Sequence, residues 1–93
     1  MQKWSYSRLT HYISMRIINS APVMETRLTY QIYGDLESHR EFNPDKLGDL
    51  VAELGDDGWE LINVTQLESH DLDPRSKSKL TMIDYYFKKP KVG

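Results

Sequence analysis

One run in this 93-residue sequence is suited to gripping an anion: Asp73-Pro74-Arg75-Ser76-Lys77-Ser78-Lys79 interleaves three cations with two hydroxyls. Cationic side chains supply charge while hydroxyls and backbone N–H groups supply short directional bonds, the combination that a phosphate or carboxylate needs. A solvated loop has the same composition, so the reading depends on further cations from elsewhere in the chain. Arg8, Arg16 and Arg27, on two alternating segments near the N-terminus, are the candidates to join Arg75, Lys77 and Lys79. Tyr30 would complete the set, with Tyr12 or Tyr33 as further rings on which a base could stack. The ligand expected of such a site is a small anionic molecule.

Other groupings carry less chemistry. His70-Asp71-Leu72-Asp73 brings an imidazole and two carboxylates together, but no Asp-x-Asp-x-Asp-Gly loop follows, and His11 and His39 lie far off in sequence. A polar loop is the better reading, and no metal or cofactor is expected. The Gly55-Asp56-Asp57-Gly58-Trp59-Glu60 corner reads as structure: glycine ends a helix at positive φ, and Trp59 fastens the helix to a sheet. The serines show no nucleophile-elbow pattern, and there is no Walker loop or dinucleotide glycine fingerprint. With no cysteine at all, a disulfide framework, a thiolate metal site and a cysteine nucleophile are excluded. The expectation is a non-enzymatic protein.

The elements that must position these groups belong to a single domain, residues 1–93, because a chain this short builds one core with little margin and gains from self-association. The absence of cysteine suits a reducing compartment. The segment MQKWSYSRLTHY has no apolar leader core, and no run of about 18 apolar residues could span a bilayer, so a cytoplasmic protein without a membrane partner is expected. The formal net charge of -2 hides a segregation. Residues 1–33 carry four bases and one acid, 34–73 carry twelve acids and two bases, and 74–93 carry six bases and one acid. Such a layout is satisfied by packing within one chain or by steering between subunits. A sequence pI of about 5.9 argues against nucleic acid as a partner.

Alternation of aromatic and β-favouring residues predicts a strand over Lys3–Ile13 and a second with Met24, Thr26, Leu28, Tyr30 and Ile32 on one face, joined as a long hairpin around Asn19-Ser20-Ala21-Pro22. Gly34–Phe42 is polar and aperiodic and reads as a loop. Asn43 as N-cap, Pro44 in the first turn and Leu47, Leu50, Val51 and Leu54 at i, i+3, i+4 and i+7 predict an amphipathic helix. Trp59–Gln66 reads as a central strand and Leu80–Lys88 as the last one. The fold class expected is α+β, an antiparallel sheet of about four strands in the order β-β-α-β-β with one helix on one face. One helix of about twelve residues cannot shield a sheet bearing ten aromatics, so the second face is expected to pack on a partner subunit, giving a dimer or higher homo-oligomer.

Three stretches together resemble a family of small bacterial and phage proteins, the domain-of-unknown-function family numbered 4177. They are Lys3-Trp4-Ser5-Tyr6, the segment Leu50 to Val64 (LVAELGDDGWELINV), and Asp84-Tyr85-Tyr86-Phe87-Lys88-Lys89-Pro90. The family pattern is a Trp-x-Tyr strand, a Leu-x-x-Leu-Gly-x-x-Gly-Trp-Glu-Leu corner and a strand ending in Phe-Lys-Arg-Pro. This sequence departs from it by a longer insert over residues 14–43. The resemblance implies a compact sheet-and-helix fold and oligomers, and it carries over no catalytic residue. The leading expectation is therefore a small homo-oligomeric binding protein. The Arg, Lys and Tyr inventory supports an alternative: a phage or bacterial accessory protein that holds a small anionic ligand, such as a nucleotide immune signal, between subunits.

Overall fold

A computed structural model describes residues 1–70 and 78–91. Among these residues five strands form one antiparallel sheet in the spatial order β3-β2-β1-β5-β4: β1 Trp4–Ile18, β2 Ala21–Ile32, β3 Asp35–Phe42, β4 Glu60–His70 and β5 Lys79–Pro90. A short 3₁₀ turn, Pro44–Lys46, leads into helix α1, Leu47–Asp56. The β1–β2 hairpin closes on Asn19 and Ser20, both at positive φ (51° and 65°). Two left-handed residues make the turn whose twist matches that of the flanking strands, and asparagine tolerates that conformation better than most side chains.

Central strand β1 is paired along twelve positions on each side, from Ser7↔Ile32 to Ile18↔Ala21 with β2 and from Trp4↔Pro90 to Met15↔Lys79 with β5. The register sorts β1 by parity. Leu9 stands opposite Tyr30 and Tyr85 on the face that α1 covers, whereas Tyr6, Arg8, Thr10 and Tyr12 lie on the other. Leu9, Leu28, Trp59 and Phe87 form the buried apolar core, with Leu47, Leu50, Val51 and Leu54 of α1 packed against it. Full burial of Leu9, Leu28 or Phe87 contributes about 1.5–3 kcal/mol each by leaving water, and the partly buried helix side chains contribute less.

Both ends of the helix segment are specified locally. Asn43 Oδ1 accepts from the Asp45 N–H at 3.0 Å, with Pro44 in the first turn. At the far end the Trp59 N–H donates to the Leu54 carbonyl (2.9 Å) and the Gly58 N–H to the Gly55 carbonyl (3.1 Å), with Gly58 at φ +91°. That pair of bonds is a Schellman closure, and it delivers Trp59 into the core.

Two features differ from the sequence-based expectations. Residues 35–42 form strand β3, not a loop, which raises the strand count to five. An edge strand with both faces largely in water need not alternate, so its sequence carries no period. Its ladder with β2 is also irregular between Tyr30 and Ile32, where Ser38 Oγ accepts from the Ile32 N–H at 2.8 Å. Trp59–Gln66, expected as a central strand, instead supplies edge strand β4, because β5 is inserted between it and β1. Its apolar side chains Leu61, Ile62, Val64 and Leu67 are therefore exposed.

The helix closure sets a stability test. Gly58→Ala meets no neighbouring atom within 4 Å, so its effect is conformational alone. Forcing an L side chain to this positive φ is expected to cost about 1–2 kcal/mol in urea unfolding while leaving the far-UV spectrum unchanged.

Candidate functional site

The sheet face opposite α1 carries the groups with chemical potential. Along β1 this face presents Trp4, Tyr6, Arg8, Thr10 and Tyr12. Across the ladder from them stand Lys88, Tyr86, Asp84 and Met82 of β5. Between β1, β5 and β4 a groove of about 460 Å³ opens, lined by Tyr6, Tyr33, Ile62, Asn63, Thr65 and Tyr86 among others. The Arg8 guanidinium carbon lies 5.9 Å from the centre of the Tyr33 ring, and the Lys88 ammonium 4.3 Å from the Trp4 ring. Aromatic walls with cations at their rim suit a planar group that bears negative charge.

Beside the groove lies a buried carboxylate. Asp84 is 9% exposed, and its Oδ1 accepts a 2.6 Å hydrogen bond from the Thr10 hydroxyl, itself buried. Arg8 Nε lies 4.0 Å from the same oxygen. A carboxylate withdrawn from water must be bonded or paired, and the Thr10 bond together with Arg8 fulfils that need. Arg8 is thereby held over the sheet, with part of its charge already directed to Asp84.

Of the expected anion-binding residues, the described ones, Arg8, Arg16, Arg27, Tyr30 and Lys79, are distributed along the sheet and not gathered. Arg8 and Arg16 share a face of β1 but are eight residues apart, about 26 Å along a strand. Arg16 pairs with Glu25 at 2.9 Å. Arg27 pairs with Glu41 at 2.8 Å and lies 6.0 Å from the Tyr12 ring. The hydrogen bond and charge of Arg27 hold the exposed Glu41 carboxyl below its ordinary range, and Glu41 raises Arg27 in turn. Lys79 stands opposite Met15 and contacts Glu68 at 3.3 Å. Arg75 and Lys77 lie outside the described residues, as do Asp71 and Asp73 of the polar run after β4. Among the described residues no group of three His, Asp or Glu side chains is gathered where a metal could bind.

Tyr30 sits on the helix-covered face, opposite Leu9, and not on the groove side. Among the described residues its buried hydroxyl has no hydrogen-bond partner, and neither do Ser7 Oγ and His11 Nε2. Burial pushes the Tyr30 phenol up, and the neighbouring Ser7 hydroxyl opposes that shift without meeting hydrogen-bond geometry. Tyr30 is thus half-buried at the margin of the core. Sequence reasoning passed over Tyr6, Tyr86, Asn63 and Thr65 because the groove exists only once β5 lies between β1 and β4. One signal was available: Asp84 interrupts an otherwise apolar and aromatic strand, which marks a carboxylate that needs partners.

The unpartnered phenol sets the test here. Tyr30→Phe removes a hydroxyl that is buried without a bond, so neutral-pH stability is expected to hold or to rise by up to about 1 kcal/mol. A phenol whose folded pKa is raised gives stability that is complete below its unfolded pKa, about 10, and is lost as pH rises past it. Chemical unfolding from pH 8 to 11 is therefore expected to show a shallower alkaline decline for Tyr30→Phe than for the natural chain.

Among the described residues no helix is long and apolar enough to cross a membrane. No family model matches the sequence, and no curated protein matches it.

Proposed function

We propose that the chain is a non-enzymatic, cytoplasmic, homo-oligomeric binding protein whose sheet is completed by further copies of itself. The observation that carries this reading is the surface left uncovered. A compact protein of 10.9 kDa would expose roughly 5,600 Å² by size scaling, whereas this chain exposes 6908 Å². The excess is roughly 1,300 Å². It is spread over an elongated body of 55 × 24 × 22 Å with a radius of gyration of 16.3 Å, against about 12 Å for a compact chain of this length. Trp4, Tyr6, Tyr33, Leu61, Val64 and Leu67 are all among its exposed apolar and aromatic residues. The motif-level resemblance to family 4177 and the oligomers it implies belong to the same proposal.

A second reading is favoured by the groove alone. Tyr6, Tyr33 and Tyr86, with Arg8 at the rim, suit a small anionic ligand that contains a planar ring, a nucleotide signal being one example. In that reading the protein is a phage or bacterial accessory factor that sequesters the ligand.

Light scattering coupled to size exclusion at micromolar concentration tests the first reading: a mass of two or more times 10.9 kDa is expected, and a clean monomer would overturn it. Calorimetry against a panel of nucleoside mono- and diphosphates tests the second. Binding that falls at least tenfold in Arg8→Ala supports it, and the absence of heat with every member counts against it.

A further inference from the structure

The two edges of the sheet are built differently. Strand β3 has eight residues, carries Asp35, Glu37, Arg40 and Glu41, and pairs irregularly with β2. Its polar backbone is partly occupied by its own side chains: Ser38 Oγ donates to the Asp35 carbonyl at 2.6 Å, and Arg40 donates to the carbonyls of Glu37 and His39. Charge, irregularity and self-bonding are the devices that stop an edge from recruiting another strand.

Strand β4 has few of them. It runs for eleven residues, and the seven from Leu61 to Leu67 contain no charge and no proline. Leu61 (46%), Val64 (49%) and Leu67 (64%) are exposed. The register shift with β5 falls between Leu61 and Asn63, so the ladder from Asn63 to His70 is regular. Its outer row of backbone donors and acceptors is a template for a further strand.

We infer that β4 pairs antiparallel with β4 of a second copy, joining two five-stranded sheets into one. A strand paired with itself about a two-fold axis presents the same surface on both sides, which is the commonest closed symmetry of homo-oligomers. Charge selects the register. A two-fold at Val64 would set Glu60 against Glu68 of the partner subunit, a destabilising like-charge pair. A two-fold at Thr65 sets Thr65 against itself, Val64 against Gln66 of the partner subunit, and Asn63 against Leu67 of the partner subunit. The acids are then kept apart, with Glu68 already neutralised by Lys79 in its own chain. Because Ile62, Asn63 and Thr65 also wall the groove, the second copy would stand at its open side and deepen it.

This inference rests on the self-association proposed above, and the experiment separates the two. The chain has no cysteine, so Thr65→Cys and, on the opposite edge, Leu36→Cys each install a single thiol. A short bis-maleimide linker is expected to convert most of the Thr65→Cys protein to covalent dimer and little of Leu36→Cys, with light scattering on the natural chain giving an oligomer. Val64→Lys combined with Leu67→Lys, both at exposed positions, is expected to keep the circular dichroism spectrum and shift the mass to that of one chain. An oligomeric natural chain whose Thr65→Cys form links no more than Leu36→Cys would overturn the β4 pairing alone. A natural chain that is monomeric would overturn both.

Discussion

A mismatch of lengths governs this molecule. A ten-residue helix is about 15 Å long, whereas the fifteen residues of β1 extend for about 50 Å. The helix therefore shields one end of one face, and the core collects there around Leu9, Leu28, Trp59 and Phe87. Beyond it the sheet is held by its ladders and by cross-strand contacts, with side chains such as Ile17, Ile18 and Met24 left at the surface. Closing the helix at Gly58 fixes where its cover ends and where β4 begins. The same closure thus determines both the buried core and the length of sheet that stays open.

Charge reinforces that arrangement. The acidic middle of the sequence is tied back to the basic ends by Arg27–Glu41, Lys79–Glu68 and Lys89–Asp57, at 2.8, 3.3 and 3.2 Å. Exposed pairs of this kind are screened by water and add little to stability, so their role is to neutralise the sheet surface more than to hold it together. Asp84 differs, being buried and bonded to Thr10. It anchors the midpoint of β5 to β1 and holds a carboxylate beside Arg8, at the edge of the tyrosine groove. The rim of the groove and the ladder of the sheet thus share one anchor.

Much of the architecture was legible in the sequence because local physics wrote it there. Parity along β1 and β2 and the Asn43-Pro44 start each correspond to an observed element or contact, and of the two glycines that could end the helix, Gly55 and Gly58, the closure uses Gly58 at positive φ. Strand β3 was not legible, since an exposed edge imposes no alternation on Asp35–Phe42. The rank of β4 in the sheet was hidden for a related reason: an apolar run such as LINV looks the same whether a neighbouring strand or a neighbouring subunit covers it. The groove could not be read at all, because Tyr6, Asn63 and Tyr86 become neighbours only through the β1-β5-β4 order. The basic residues were visible one by one, but composition does not record that Arg16, Arg27 and Lys79 each face an acid.

Whether a second copy covers the β4 edge, as proposed, is read from amide hydrogen exchange across a dilution series. Backbone amides in an unpaired edge exchange readily, whereas those in a completed ladder wait for an opening event. Slow exchange is expected for Asn63–Leu67 at high protein concentration and faster exchange on dilution, while the β3 edge exchanges at one rate throughout. Fast exchange of Asn63–Leu67 at every concentration would contradict it.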